Sequence, residues 1–85
     1  MLKMLNRNFE YKKALALGDK AFEALVTTKI QELVPEAKLA WTNYTLFLRT
    51  SDADMQRVTN YLGSTYGMDN IDINQVGDAY AIDFM

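Results

Sequence analysis

The fold of this chain is decided by residues 71–84, whose sequence is IDINQVGDAYAIDF. Two segments with alternating apolar residues flank Gly77-Asp78, and a glycine in the first position of a two-residue loop is typical of a type II′ turn. This turn sets the strand pairing of an antiparallel hairpin. The predicted pairs are Ile71–Phe84, Asp72–Asp83, Ile73–Ile82, Asn74–Ala81, Gln75–Tyr80 and Val76–Ala79. The isoleucines then share one face and the aspartates the other, so the turn and the apolar pattern predict the same register.

A strand and a helix precede this hairpin. Residues 42–50 are rich in aromatic and β-branched side chains, and both faces are apolar apart from Arg49, which favours an interior strand or one covered on both sides. Ser51 is a suitable N-cap for a helix that ends near Gly67, with an inward stripe formed by Met55, Val58, Leu62 and Thr65 or Tyr66.

Strand, helix and hairpin together form a βαββ unit. Residues 79–84 carry more apolar and small side chains than residues 71–76, so we place 79–84 centrally and 71–76 at an edge protected by polar groups. The first strand is expected on the other side of 79–84. The helices are expected to cover one face of this small, largely antiparallel sheet.

The N-terminal part of the chain predicts helices. From Asp19, which could cap the first turn, apolar residues recur at three- and four-residue steps until Pro35 ends the helix. In residues 8–18, the apolar side chains at odd positions would share one face of a strand, but apolar side chains there also recur at the spacing of one helical face. We favour a helix with a break or kink near Gly18. The fold class is therefore α+β, with N-terminal helices followed by the βαββ unit.

Composition indicates one domain that spans residues 1–85. The 85 residues are 49% apolar, which favours a folded protein. They contain no cysteine, which favours a reducing, cytoplasmic setting. Charges interrupt every apolar run before it could span a bilayer, so we expect no membrane partner. An amphipathic membrane helix at the N-terminus is the weakest alternative.

The residue types argue against catalysis. Histidine and cysteine are both absent, which removes the usual general base, the thiolate nucleophile and most metal ligands. The four glycines form no phosphate-binding pattern. We therefore predict a protein that is not an enzyme and has neither cofactor nor metal. A small hydrolase that uses two carboxylates remains an alternative.

Aromatic and acidic residues point instead to contact with another protein. Ten aromatic residues are many for this length, and tyrosine and tryptophan often anchor interfaces. The candidate partner-binding residues are Trp41, Tyr44, Asp72, Tyr80 and Asp83. The two opposed aspartates either point into water or hold a cation, or Arg or Lys of a partner, between them. A thin core together with surplus aromatics also favours a homodimer.

Charge is distributed unevenly along the chain. Residues 1–49 carry a net charge of +3 and residues 50–85 carry −5. The acidic half could pair with a basic partner. The basic start could bind RNA or single-stranded nucleic acid, with Lys3, Arg7, Lys12 and Lys13 as the contacts.

The main hypothesis is a small regulatory protein that acts by protein–protein contact. It could be an inhibitor, an antitoxin-like partner or an adaptor. Motif-free chains of this style are frequent among phage and mobile-element products. RNA binding is the alternative function.

Overall fold

A computed structural model describes residues 7–85. They form three α-helices, a short 3₁₀ helix and a four-stranded antiparallel sheet. The elements in chain order are α1 Arg7–Leu15, α2 Asp19–Leu33, β1 Lys38–Thr42, β2 Thr45–Arg49, α3 Asp52–Tyr66, the 3₁₀ helix Met68–Asn70, β3 Ile71–Val76 and β4 Ala79–Phe84. The order of strands in the sheet is β1-β2-β4-β3. The α+β fold class is therefore confirmed.

The C-terminal hairpin has the register that the sequence predicts. All six expected pairs between β3 and β4 are present, from Ile71 opposite Phe84 to Val76 opposite Ala79. Gly77 has φ 63°, the left-handed value that the first loop position of a type II′ turn requires. Strand β4 pairs with β2 on its other side, so its central place and the edge position of β3 are confirmed.

The single strand predicted over residues 42–50 is wrong in its extent. The structure has a second hairpin here, in which β1 and β2 pair across the two-residue turn Asn43-Tyr44. Both turn residues have positive φ, 44° and 62°, as in a type I′ turn. The sheet therefore has one strand more than a βαββ unit, and β2 rather than β1 is the neighbour of β4.

The helix boundaries follow local chemistry. The Oγ atom of Ser51 accepts a hydrogen bond from the backbone N–H of Asp54 at 3.2 Å, so the predicted cap of α3 is confirmed. Helix α2 ends at Leu33, and Val34 is its C-cap residue, directly before Pro35. The prediction that Asp19 is the cap residue is wrong, although its carboxylate accepts a hydrogen bond from the backbone N–H of Lys20 at 2.8 Å. Gly18 occupies the cap position of α2 without a side-chain bond, and Asp19 is already the first helical residue.

The core lies between the helices and one face of the sheet. Phe22 is fully buried at its centre, with ring centroids 5.1 Å from Phe84 and 6.1 Å from Trp41. Helices α2 and α3 and strands β2 and β4 supply the other fully buried side chains, which are Val26, Ile30, Val58, Leu62, Leu46, Leu48 and Ile82. Within residues 7–85, no helix is both long enough and apolar enough to cross a membrane.

Candidate interaction surface

The second face of the sheet points away from the core. Side chains alternate along each strand, so every strand contributes three residues to this side, which we call the open face. Its residues are Lys38, Ala40, Thr42, Thr45, Phe47, Arg49, Asp72, Asn74, Val76, Ala79, Ala81 and Asp83. Eight of the twelve are exposed. No element within residues 7–85 therefore covers the open face.

The middle of the open face is apolar. Phe47, in this middle part, is 38% exposed, and Val76, at the β3–β4 corner of the face, is 56% exposed, although both are large hydrophobic residues. Small side chains surround Phe47, because Ala40 and Ala81 are its direct neighbours on the adjoining strands. A shallow groove of about 440 Å³ runs beside it and is lined by Lys38, Leu39, Ala40, Phe47, Arg49, Val76, Asp78 and Ala79.

Two like-charge pairs lie at opposite corners of the open face. Lys38 stands directly opposite Arg49 on β1 and β2, which we call the basic corner. Asp72 stands directly opposite Asp83 on β3 and β4, which we call the acidic corner. Like charges in this relation destabilise a sheet. Each pair therefore raises the free energy of the folded chain, and a group of opposite charge bound beside the pair would lower it.

Neighbouring groups partly compensate these charges. Asp83 accepts a short hydrogen bond from the hydroxyl of Thr45, and Asp72 accepts one from the side-chain amide of Asn74 at 3.1 Å. At the basic corner, Arg49 lies 3.6 Å from the carboxylate of Asp78. Because that ion pair is well exposed, it is weak and can exchange for another partner.

The five predicted partner-binding residues do not form one surface. Asp72 and Asp83 are neighbours on the open face, whereas Trp41, Tyr44 and Tyr80 lie elsewhere. The rings of Trp41 and Phe84 stack with centroids 5.7 Å apart, and the indole N–H of Trp41 donates to the hydroxyl of Thr27 at 2.7 Å.

Tyr44 and Tyr80 also make contacts within the chain. Tyr44 lies in the β1–β2 turn with its ring 5.6 Å from that of Phe22. Tyr80 donates a short hydrogen bond to Asp52 at the start of α3, and this bond, with the negative charge of Asp52, raises the pKa of Tyr80. A contact of either tyrosine with a partner stays a prediction.

The candidate nucleic-acid contacts are only partly within the described chain. Lys3 lies outside the described residues, and Arg7 begins α1. Lys12 and Lys13 are exposed in the last turn of α1. Tyr11, which directly precedes Lys12 in the sequence, is only 3% exposed, so it offers no ring on which a base could stack.

The hydrolase alternative requires two carboxylates that face each other in a cleft. Among residues 10–85 no charged side chain is buried, and no group of three potential metal ligands occurs in the described part. A shallow groove of about 240 Å³ between the end of α2 and the start of α3 has Glu36 and Asp54 in its lining. Arg57 lies 3.7 Å from Asp54 there, so this carboxylate already has a cationic neighbour.

Sequence reasoning missed Phe47 and the basic corner. Alternation along the strand places Phe47 on one face of the sheet and Leu46 and Leu48 on the other. Both faces of the segment are apolar, so its own sequence did not show which face stays uncovered. Lys38 could be paired with Arg49 only if β1 was recognised.

No protein-family model matches this chain, and comparisons with curated proteins and with solved structures gave no significant match.

Proposed function

We propose that this protein is a small, non-enzymatic regulatory module that acts by docking its open face on another protein. The supporting observation is the uncovered sheet face with an apolar centre around Phe47 and charged corners. An apolar patch surrounded by polar residues is typical of a protein interaction site. The charged corners would contribute more to the orientation of the partner and to discrimination against other proteins than to the affinity.

An inhibitor, an antitoxin-like partner or an adaptor would each use such a surface. All three need a stable scaffold that presents one face, and none needs a catalytic group. The acidic corner favours a partner that offers Arg or Lys beside an apolar contact. A cytoplasmic location, expected from the absence of cysteine, is part of this proposal.

Affinity purification with matched variants tests the docking surface. Phe47→Glu places a charge at the centre of the open face, whereas Leu17→Glu alters another exposed apolar residue, between α1 and α2. We expect the same proteins to be captured by the wild type and by Leu17→Glu, and to be lost with Phe47→Glu. Circular dichroism must first show that both variants are folded. Capture that is identical for all three chains would contradict a role of the open face.

RNA binding is the second candidate, and the exposure of Lys12 and Lys13 favours it. Replacing both with Glu should abolish a shift of labelled RNA that weakens as salt increases. Lys29→Glu is the control, because Lys29 is an exposed lysine on α2 that lies 3.8 Å from Glu32. No shift by the wild type at low salt would eliminate this function.

A further inference from the structure

We propose that the partner of the open face is a second copy of this chain, bound face to face around a two-fold axis. This inference rests on the proposed function, because it names the partner of the same surface. A two-fold interface uses one patch on both subunits, so the patch must be complementary to itself. The shape and the charge of the open face both meet this condition.

The shape is complementary because a large side chain lies beside small ones. Phe47 lies next to the centre of the face and is 38% exposed, and the groove beside it has Ala40 and Ala79 in its lining. When two such faces meet, the two Phe47 rings lie near the axis, each over the groove of the other copy. Sheets that pack face to face stand about 10 Å apart, a gap that interdigitating side chains of this size fill.

The charges are complementary because the corners have opposite signs. The basic corner lies on β1 and β2, and the acidic corner lies on β4 and β3 at the other end of the strands. The two corners thus form one diagonal of the face. A two-fold axis perpendicular to this diagonal, lying between the two sheets and parallel to them, places each basic corner over the acidic corner of the second copy. Each like-charge pair then receives a pair of opposite charge.

This diagonal arrangement also selects the packing angle. From a strand spacing of ~4.8 Å and a rise of ~3.4 Å per residue, the strands of the two sheets would cross at roughly 70°. That value is close to the orthogonal class of sheet packing. In the aligned class, the axis runs along or across the strands. Each charged corner would then face an uncharged one, either Thr42 with Thr45 or Val76 with Ala79.

The size of the face predicts a weak dimer. Four strands of five residues cover about 19 Å by about 17 Å, a footprint of roughly 320 Å². A standard stable interface buries about 800 Å² per partner. We therefore expect a reversible dimer with a dissociation constant in the micromolar range or weaker.

Sedimentation of the purified full chain, from ~10 μM to ~1 mM, tests this dimer. Asp72→Lys and Lys38→Glu each remove a like-charge pair within the chain, so neither should harm folding. Each should weaken the dimer about three- to tenfold, because two equivalent contacts are lost at once. The double variant Asp72→Lys/Lys38→Glu exchanges the signs and should recover dimerisation, as should an equal mixture of the two single variants.

Asp69→Lys is the matched control, since it makes the same charge change at an exposed residue of the 3₁₀ helix, outside the open face. A wild type that stays monomeric to ~1 mM, or a dimer equally strong in all variants, would overturn the inference. A monomer that still captures another protein through Phe47 would overturn the inference and keep the proposed function. A charge-dependent dimer without any Phe47-dependent capture of another protein would support the inference and restrict docking by the open face to self-association.

Discussion

Tyr11 is the one buried side chain, among those described, whose polar atom has no hydrogen-bond partner. Its ring is 3% exposed and lies 6.3 Å from that of Phe22 and 5.8 Å from that of Tyr66. A buried hydroxyl without a partner costs about 1–3 kcal/mol of folding free energy. The ring therefore stabilises the core while its hydroxyl opposes folding.

The variant Tyr11→Phe should keep the free energy of unfolding or raise it by about 1 kcal/mol, because it removes the unpartnered hydroxyl and keeps the ring. Thr27→Val is the control, since the hydroxyl of Thr27 accepts a hydrogen bond from the indole N–H of Trp41 at 2.7 Å. We expect this control to lower stability by about 1 kcal/mol. Urea unfolding followed by circular dichroism measures both. A loss in Tyr11→Phe equal to that in the control would show that the hydroxyl has a partner.

Among the elements, those with a strong local signal could be predicted from the sequence. The hairpin of β3 and β4 follows from a glycine-containing two-residue turn and from alternation over twelve strand residues, two signals that agree on one register. Helix α3 follows from the Ser51 cap and its apolar spacing. The same register also predicted the pairing of Asp72 with Asp83, which forms the acidic corner of the open face.

Strand β1 could not be predicted because its turn lacks the usual residues. Asn43 tolerates a positive φ, but a tyrosine with φ 62° is rare, and Tyr44 is stabilised there by tertiary packing on Phe22. The turn therefore looked like part of a strand. Lys38 and the basic corner were missed with it, since cross-strand pairs exist only once both strands are known.

The cap of α3 gives a prediction at the scale of the element. Ser51→Ala should lower the free energy of unfolding by about 1 kcal/mol, because the backbone N–H of Asp54 loses its acceptor. Ser64→Ala is the matched control in the same helix, where the hydroxyl donates to the carbonyl of Asn60 and the backbone keeps its own bonds. We expect no loss there, since alanine is the better helix former. Equal losses in the two variants would contradict the capping role.

At the scale of the whole molecule, stability depends on aromatic packing around Phe22. Tyr11, Tyr61 and Tyr66 belong to this layer, and burial is the largest cause that raises the pKa of each phenol above its usual value. For Tyr11 it raises the pKa to about 12. The folded chain thus favours the neutral phenols, while the unfolded chain ionises them at their ordinary pKa.

The sign of the pH dependence follows from these shifts. Below pH ~10 the phenols are neutral in both states, so their burial stabilises fully; above it the unfolded chain loses protons first, and stability falls until the folded pKa is passed. Urea unfolding between pH 8 and 12 should show a decline that begins near pH 10. Tyr11→Phe provides the comparison, because it removes one phenol and leaves every other titratable group in place. The decline between pH 10 and 12 should be about 1–2 kcal/mol smaller in this variant. The same decline in both chains would show that Tyr11 ionises equally in the folded and unfolded states, and so that its ring is not buried in solution.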